Sequence, residues 1–164
     1  MDAVRAERRS VSAAVEVPAP PARVFDVLAS TDRHAEIDGS GMVQGKPSGP
    51  ARLSAGSEFT MGMRQVGRAY RSFSRVVEFE EGRRIAWESM GTWRGRQTVG
   101  GQRWRWVLTP TEGGTLVQHS YVWGYARLAL LTVWLPGYPR RARSSLERSL
   151  ANLARIVSPG TSPS

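Results

Sequence analysis

Polar and apolar positions alternate along residues 10–17, where Val11, Ala13, Val15 and Val17 share one side. That is the pattern of a strand with one buried face. Pro18, Pro20 and Pro21 end it. Proline is tolerated in a first helical turn, where its missing N–H would be unpartnered anyway. Ala22–Ala29 follows with Val24, Phe25, Val27 and Leu28 apolar and predicts a helix. Ser30-Thr31-Asp32 breaks it, and a second short helix is expected over Asp32–Ile37. Asp38-Gly39-Ser40-Gly41 predicts a turn, and residues 45–56, with three Gly and two Pro, predict a loop. Five further strands are expected over Ser57–Met63, Tyr70–Glu80, Arg84–Met90, Gln102–Thr109 and Thr115–Trp123. Glu81-Gly82 and Thr111-Glu112-Gly113-Gly114 are links too short for a crossover helix, so those neighbours run antiparallel. In Arg140–Val157, Leu146, Leu150, Leu153 and Ile156 recur at helical spacing, with Arg140, Arg141, Arg143, Glu147, Arg148 and Arg155 off that stripe.

The predicted order is strand, two short helices, a run of antiparallel strands and one long amphipathic helix. It defines an α+β domain in which a curved antiparallel sheet wraps a C-terminal helix. The 164 residues suffice for one such domain, read here as residues 10–157. Residues 1–9 read as a flexible arm and residues 158–164 as a disordered tail. A single helix covers a large curved sheet incompletely, so a cavity is expected between them.

Alternation assigns side chains to that interior. In Gln102–Thr109, Trp104, Trp106 and Leu108 share a face, with Arg103 and Arg105 on the other. Two tryptophans belong inside rather than beside two arginines in water. In Thr115–Trp123 the inner set is either Val117, His119, Tyr121 and Trp123, or Leu116, Gln118, Ser120 and Val122. The first is preferred because it groups the aromatics. Ile85, Trp87 and Ser89 are placed inward, and Glu88 outward. An apolar pocket with a few polar groups suits a small molecule. The competing reading makes these residues ordinary core, with His119 simply buried and hydrogen-bonded.

Composition narrows the chemistry. The absence of cysteine excludes disulfides, a thiol nucleophile and thiolate metal sites. His34 and His119 are the only imidazoles, so no metal site and no cofactor are expected. Neither a Gly-x-Ser-x-Gly elbow nor a His-Glu-x-x-His helix motif occurs, and Lys46 lies outside any phosphate-binding loop. The N-terminus lacks an apolar signal segment, and the apolar run 122–135 is shorter than the ~20 residues a spanning helix needs. A soluble, cytoplasmic protein is expected. The basic residues number 23, all arginine except Lys46, for a net charge of +9. Arg71, Arg75, Arg103 and Arg105 could form a basic band on the outer sheet face, able to meet nucleic acid or an anionic membrane. No nucleic-acid motif accompanies it, and a solvated face is the preferred reading.

Several stretches resemble the START-like, or SRPBCC, superfamily. They are Val15–Ala29 (VEVPAPPARVFDVLA), Asp32–Ser40 (DRHAEIDGS), Val77–Trp87 (VEFEEGRRIAW) and Trp104–Thr115 (WRWVLTPTEGGT). They occur in that family's order across residues 10–157, and the nearest branch is the polyketide cyclase/dehydrase and lipid-transport group. The resemblance implies the helix-grip fold and a cavity between sheet and helix that takes a lipid, quinone or polyketide-like ligand. It also implies, as the alternative, a cyclase or dehydratase of lyase type. Ile37 stands where relatives usually carry an aromatic, and the apolar Tyr125–Leu135 suggests a lid or a transient membrane contact. The expected ligand wall comprises Trp87, Trp104, Trp106, Val117, His119, Tyr121 and Trp123, with Leu146 and Leu150 from the helix. For catalysis the acid/base candidates are His119, Tyr121 and Asp38. Oligomeric state and the identity of the ligand are left open.

Overall fold

The structure, a computed structural model, describes residues 9–65, 67–93, 96–126 and 138–160. The elements are β1 (Ser10–Val17), α1 (Pro21–Ala29), a 3-10 turn (Thr31–Arg33), α2 (His34–Ile37), β2 (Val43–Ser48), β3 (Glu58–Gln65), β4 (Arg68–Glu80), β5 (Arg84–Trp93), β6 (Arg96–Thr111), β7 (Gly114–Val122) and α3 (Tyr138–Val157). The strands form one antiparallel seven-stranded sheet in the order β1-β7-β6-β5-β4-β3-β2. The terminal strands β1 and β2 are its edges. Residues 1–8, most of the expected arm, and 161–164 of the tail lie outside the described residues, as does most of the suggested lid.

One element departs from expectation. Residues 43–48, four of which were assigned to a loop, form the edge strand β2. It pairs with β3 through Val43–Met63, Gln44–Gly62 and Ser48–Thr60, with a register shift between. An edge strand needs only one row of backbone partners, so Gly45, Lys46 and Pro47 are tolerated there. Gly62 makes the approach close: a Cβ on it would sit 2.3 Å from the Gln44 carbonyl oxygen. The described residues therefore form seven strands rather than the six expected, and β6 extends well before Gln102.

Cross-strand register settles the inner face. One row runs Val11, Tyr121, Trp104, Trp87, Val76, and the next runs Ala13, His119, Trp106, Ile85, Phe79. A third joins Val15, Val117 and Leu108. Leu116, from the alternative set, is exposed. The main core lies beneath these rows, where α1 brings Val24, Phe25 and Leu28 against them. Phe25 meets Phe79 edge-on at 5.4 Å. The helix α3 packs on β1 and β7 and against α1 and α2. It buries Ala142, Leu146, Leu150, Leu153 and Val157, while Ile156, assigned to the stripe, is only half-buried.

The outer face is a charge lattice rather than a basic band. Glu58, Arg75, Glu88 and Arg103 are successive register partners across four strands and alternate in sign. Arg75 Nε donates to Glu58 at 2.9 Å, Arg103 Nε to Glu88 at 2.9 Å and Arg105 Nε to Glu78 at 3.0 Å. The Arg103 guanidinium also lies 3.7 Å above the Tyr125 ring centre, a cation–π contact. Three of the four arginines of the expected band are thus neutralised locally.

Candidate functional site

Strands β6 and β7 place an aromatic ladder on the inner face. Trp106 and His119, register partners, stack with ring centres 3.5 Å apart and 11° between planes. Trp104 lies 6.1 Å from His119 and 4.6 Å from Tyr121. Trp123 follows, 5.6 Å from Tyr121. Leu146 and Ala142 of α3 close over Tyr121, with Trp104 and Trp123 packed alongside and themselves half-buried. Six of the nine expected wall residues, Leu146 among them, therefore converge on one patch.

The electrostatics of this patch are unusual. His119 is 4% exposed, and neither ring nitrogen has a hydrogen-bond partner among the described residues. The indole Nε1–H of Trp106, in a residue 2% exposed, is equally unpartnered there. Burial pushes the His119 pKa down from 6.5 to about 3. The imidazole is neutral at pH 7, so one nitrogen donates and the other accepts. A buried polar atom left without a partner costs about 1–3 kcal/mol. Three such atoms adjoin here.

The other expected residues make their main contacts elsewhere, although register sets Trp87 directly opposite Trp104 and Trp106 shares the main core with Val117 and Leu150. Trp87 faces inward but stacks on His34, with ring centres 4.7 Å apart, and meets Phe59 edge-on. The imidazole of His34 bonds through Nε2 to the Leu28 carbonyl at 2.9 Å, and burial lowers its pKa to about 4. Val117 and Leu150 are in the main core. Asp38 anchors the turn before β2: its carboxylate accepts from Ser40 N and Val43 N, both at 2.9 Å, and from the Ser40 hydroxyl at 2.7 Å. Those bonds occupy both carboxylate oxygens with local backbone, far along the chain from the aromatic ladder.

Two inner-face residues escaped the sequence reading. Register continues the inner face through Phe59, Ser74, Ser89 and Gln102. Ser74 and Ser89 share a hydrogen bond at 3.2 Å, and the buried Gln102 Oε1 has no partner among the described residues. Gln102 is two residues before Trp104, so period-two alternation alone was enough to place it inward. Ser74 was reachable the same way from Val76.

A curved sheet gripping a C-terminal helix over an aromatic inner wall defines a helix-grip domain. The chain belongs to the polyketide cyclase / dehydrase and lipid transport family, whose sequence profile matches residues 8–158. The Mycobacterium tuberculosis protein Rv0088 is 33% identical over 148 residues, covering 88% of this chain and 62% of that relative. The chain thus spans less than two thirds of the curated relative's length. Among solved structures, protein NE0264 from Nitrosomonas europaea superposes with TM-score 0.67 at 14% identity, covering 90% of this chain and 92% of its own. The di-domain ARO/CYC StfQ from the steffimycin biosynthetic pathway gives TM-score 0.65 at 19% identity, covering 94% of this chain and 53% of StfQ. At such identities the structural likeness concerns the fold. Among the described residues no helix is long and apolar enough to cross a membrane.

Proposed function

We propose that this domain binds an uncharged hydrophobic small molecule against the β6–β7 aromatic ladder, between the sheet and α3. The observation that carries this reading is the group of polar atoms, His119 Nδ1 and Nε2 and Trp106 Nε1, that find no partner among the described residues inside an otherwise apolar wall. A ligand bearing a hydroxyl or carbonyl on a flat apolar body satisfies them and stacks on the rings. The inner-face residues named above carry no formal charge, because His119 is neutral. A carboxylate there would lose its hydration with no cation in return. Tryptophan fluorescence titration at pH 7 is expected to show 2-naphthol binding well ahead of 2-naphthoate and palmitate. Replacing His119 by Phe keeps the stacking surface and removes both nitrogens, and about ten-fold weaker naphthol binding is expected. Equal affinity in wild type and His119→Phe would sink the assignment of the site.

A second reading is ring closure or dehydration of a polyketide-like substrate, supported by the family and by the ARO/CYC neighbours. In it the depressed basicity of His119 makes it a poor proton shuttle. Its role is to polarise a ligand carbonyl by donating a hydrogen bond. Turnover of a poly-β-ketone substrate is then expected to survive in His119→Gln, which retains a donor. Abolished turnover in His119→Gln with intact binding would assign His119 proton transfer instead.

A further inference from the structure

Charge pairing on the outer sheet face stops abruptly toward the β3–β4 hairpin. Glu58 is the only acid between Asp38 and Glu78, whereas Lys46, Arg52, Arg64, Arg68, Arg71 and Arg75 fall in that interval. Arg52 pairs with Asp26 and Glu81, and Arg75 with Glu58. Arg64 and Arg71 have no carboxylate within ion-pair distance among the described residues. They share the face of the Glu58–Arg75 pair, because register puts Arg71 opposite Gly62 and Arg64 opposite Ala69. The two arginines are therefore diagonal cross-strand neighbours, whose Cβ atoms come within about 7–8 Å. Like charges so placed repel unless an anion lies between them.

The space for an anion is there. An open hollow of about 550 Å³ is lined by Gln44, Gly45, Gly62, Met63, Arg64, Ala69, Tyr70 and Arg71. Three of these, Gly45, Gly62 and Ala69, bear no side chain beyond Cβ, so the backbone of β2, β3 and β4 is approachable. At Gly62 no larger residue fits, since its Cβ would collide with Gln44 O. The lining contains two guanidinium groups, one amide donor and no carboxylate.

We propose that this hollow is a phosphate-binding site in which Arg64 and Arg71 clamp the oxyanion and Gln44 supplies a neutral donor. Two guanidinium groups match a dianion better than a monoanion, and their fork geometry suits tetrahedral phosphate oxygens. The proposal is independent of the interior ligand. The phosphate could belong to a free ester or to a lipid headgroup, and the two sources are separable.

The test uses the full chain at 100 mM salt, with glycerol 1-phosphate as probe and acetate as the monoanion control. Amide shifts by NMR are expected at Gly45, Gly62 and Ala69. The double variant Arg64→Gln/Arg71→Gln is expected to bind glycerol 1-phosphate about ten-fold more weakly or worse. Arg140→Gln/Arg141→Gln removes the same charge from exposed positions of α3 and is expected to change affinity less than about two-fold. Melting curves of both variants control for folding, since these side chains are exposed. Equal losses in the two variants, shifts scattered over the arginine-rich surface, or acetate binding as well as the ester would overturn the site. In a second arm, vesicles of phosphatidylcholine with and without phosphatidic acid, whose headgroup is a phosphate monoester like the probe, are sedimented with the protein. Recruitment by the anionic vesicles, lost in Arg64→Gln/Arg71→Gln and competed by glycerol 1-phosphate, assigns the phosphate to a lipid. Glycerol 1-phosphate binding without recruitment assigns it to a free ester.

Discussion

Gly39→Ala is expected to lower the melting temperature by about 10–15 °C. Gly39 lies in the turn after α2, pressed onto α3. A Cβ on it would stand 2.1 Å from Ser145 O and 2.5 Å from Ser149 N. Both are backbone atoms of a helix, so no rotamer change can relieve the clash. The close approach also carries two hydrogen bonds: Gly39 N donates to Ser149 Oγ at 2.8 Å, and Arg148 Nε donates to Gly39 O at 2.7 Å. Moving the turn outward enough to admit a methyl breaks both, at about 1 kcal/mol each or more, on top of about 1–3 kcal/mol for overpacking. Ser149→Ala removes one bond without adding bulk and is expected to cost a fraction of that. A Gly39→Ala melt within about 3 °C of wild type would show that α3 and the turn do not make this contact.

Acid is expected to unfold the domain earlier than its carboxylates alone would dictate. The unfolded chain protonates both imidazoles near 6.5, whereas burial holds His34 at about 4 and His119 at about 3 in the fold. Between these values the unfolded state binds more protons than the folded state. Stability is therefore complete above pH 6.5 and falls as the pH drops from there toward 4. Each histidine removes roughly 3 kcal/mol by pH 4, and the pair a large part of a typical 5–15 kcal/mol. Urea unfolding between pH 7 and 5 isolates the effect, because few carboxylates titrate in that window. His119→Gln is expected to remove about half of the pH slope, and His34→Gln most of the remainder. A wild-type profile flat across that range would show both rings to be solvated. A ligand engaging His119 in its neutral form should shift the curve toward lower pH.

Much of this molecule was legible along the chain because burial imposes a period. The alternation of Val11, Ala13, Val15 and Val17, and of Trp104, Trp106 and Leu108, named the inner face of β1 and β6. The spacing of Leu146, Leu150 and Leu153 named the buried stripe of α3. Punctuation by Pro and Gly placed α1 and the tight hairpins. Strand β2 left no such trace. Its residues bury little, and its hydrogen bonds are backbone to backbone, made affordable by the missing side chain of Gly62.

The choice between the two candidate inner sets of β7 illustrates the boundary. Both alternate, so the period alone could not decide between His119 and Gln118. Register with β6 did, by setting His119 against Trp106. Similarly, a net charge of +9 was plain from composition, but which arginines are neutralised was not. Arg75, Arg103 and Arg105 gain carboxylates from other strands, whereas Arg64 and Arg71 gain none among the described residues.

Local order therefore determined the elements other than β2, their order and the family: strand, helix and turn preferences act over a few residues and are written in consecutive letters. The tertiary structure alone decided that His119 and Trp106 stack with their nitrogens unmet by any described residue, that Asp38 serves a turn, and that two arginines face an open hollow. Those outcomes depend on contacts between residues far apart in the chain, whose register is set by the summed packing of the sheet rather than by any neighbour in sequence.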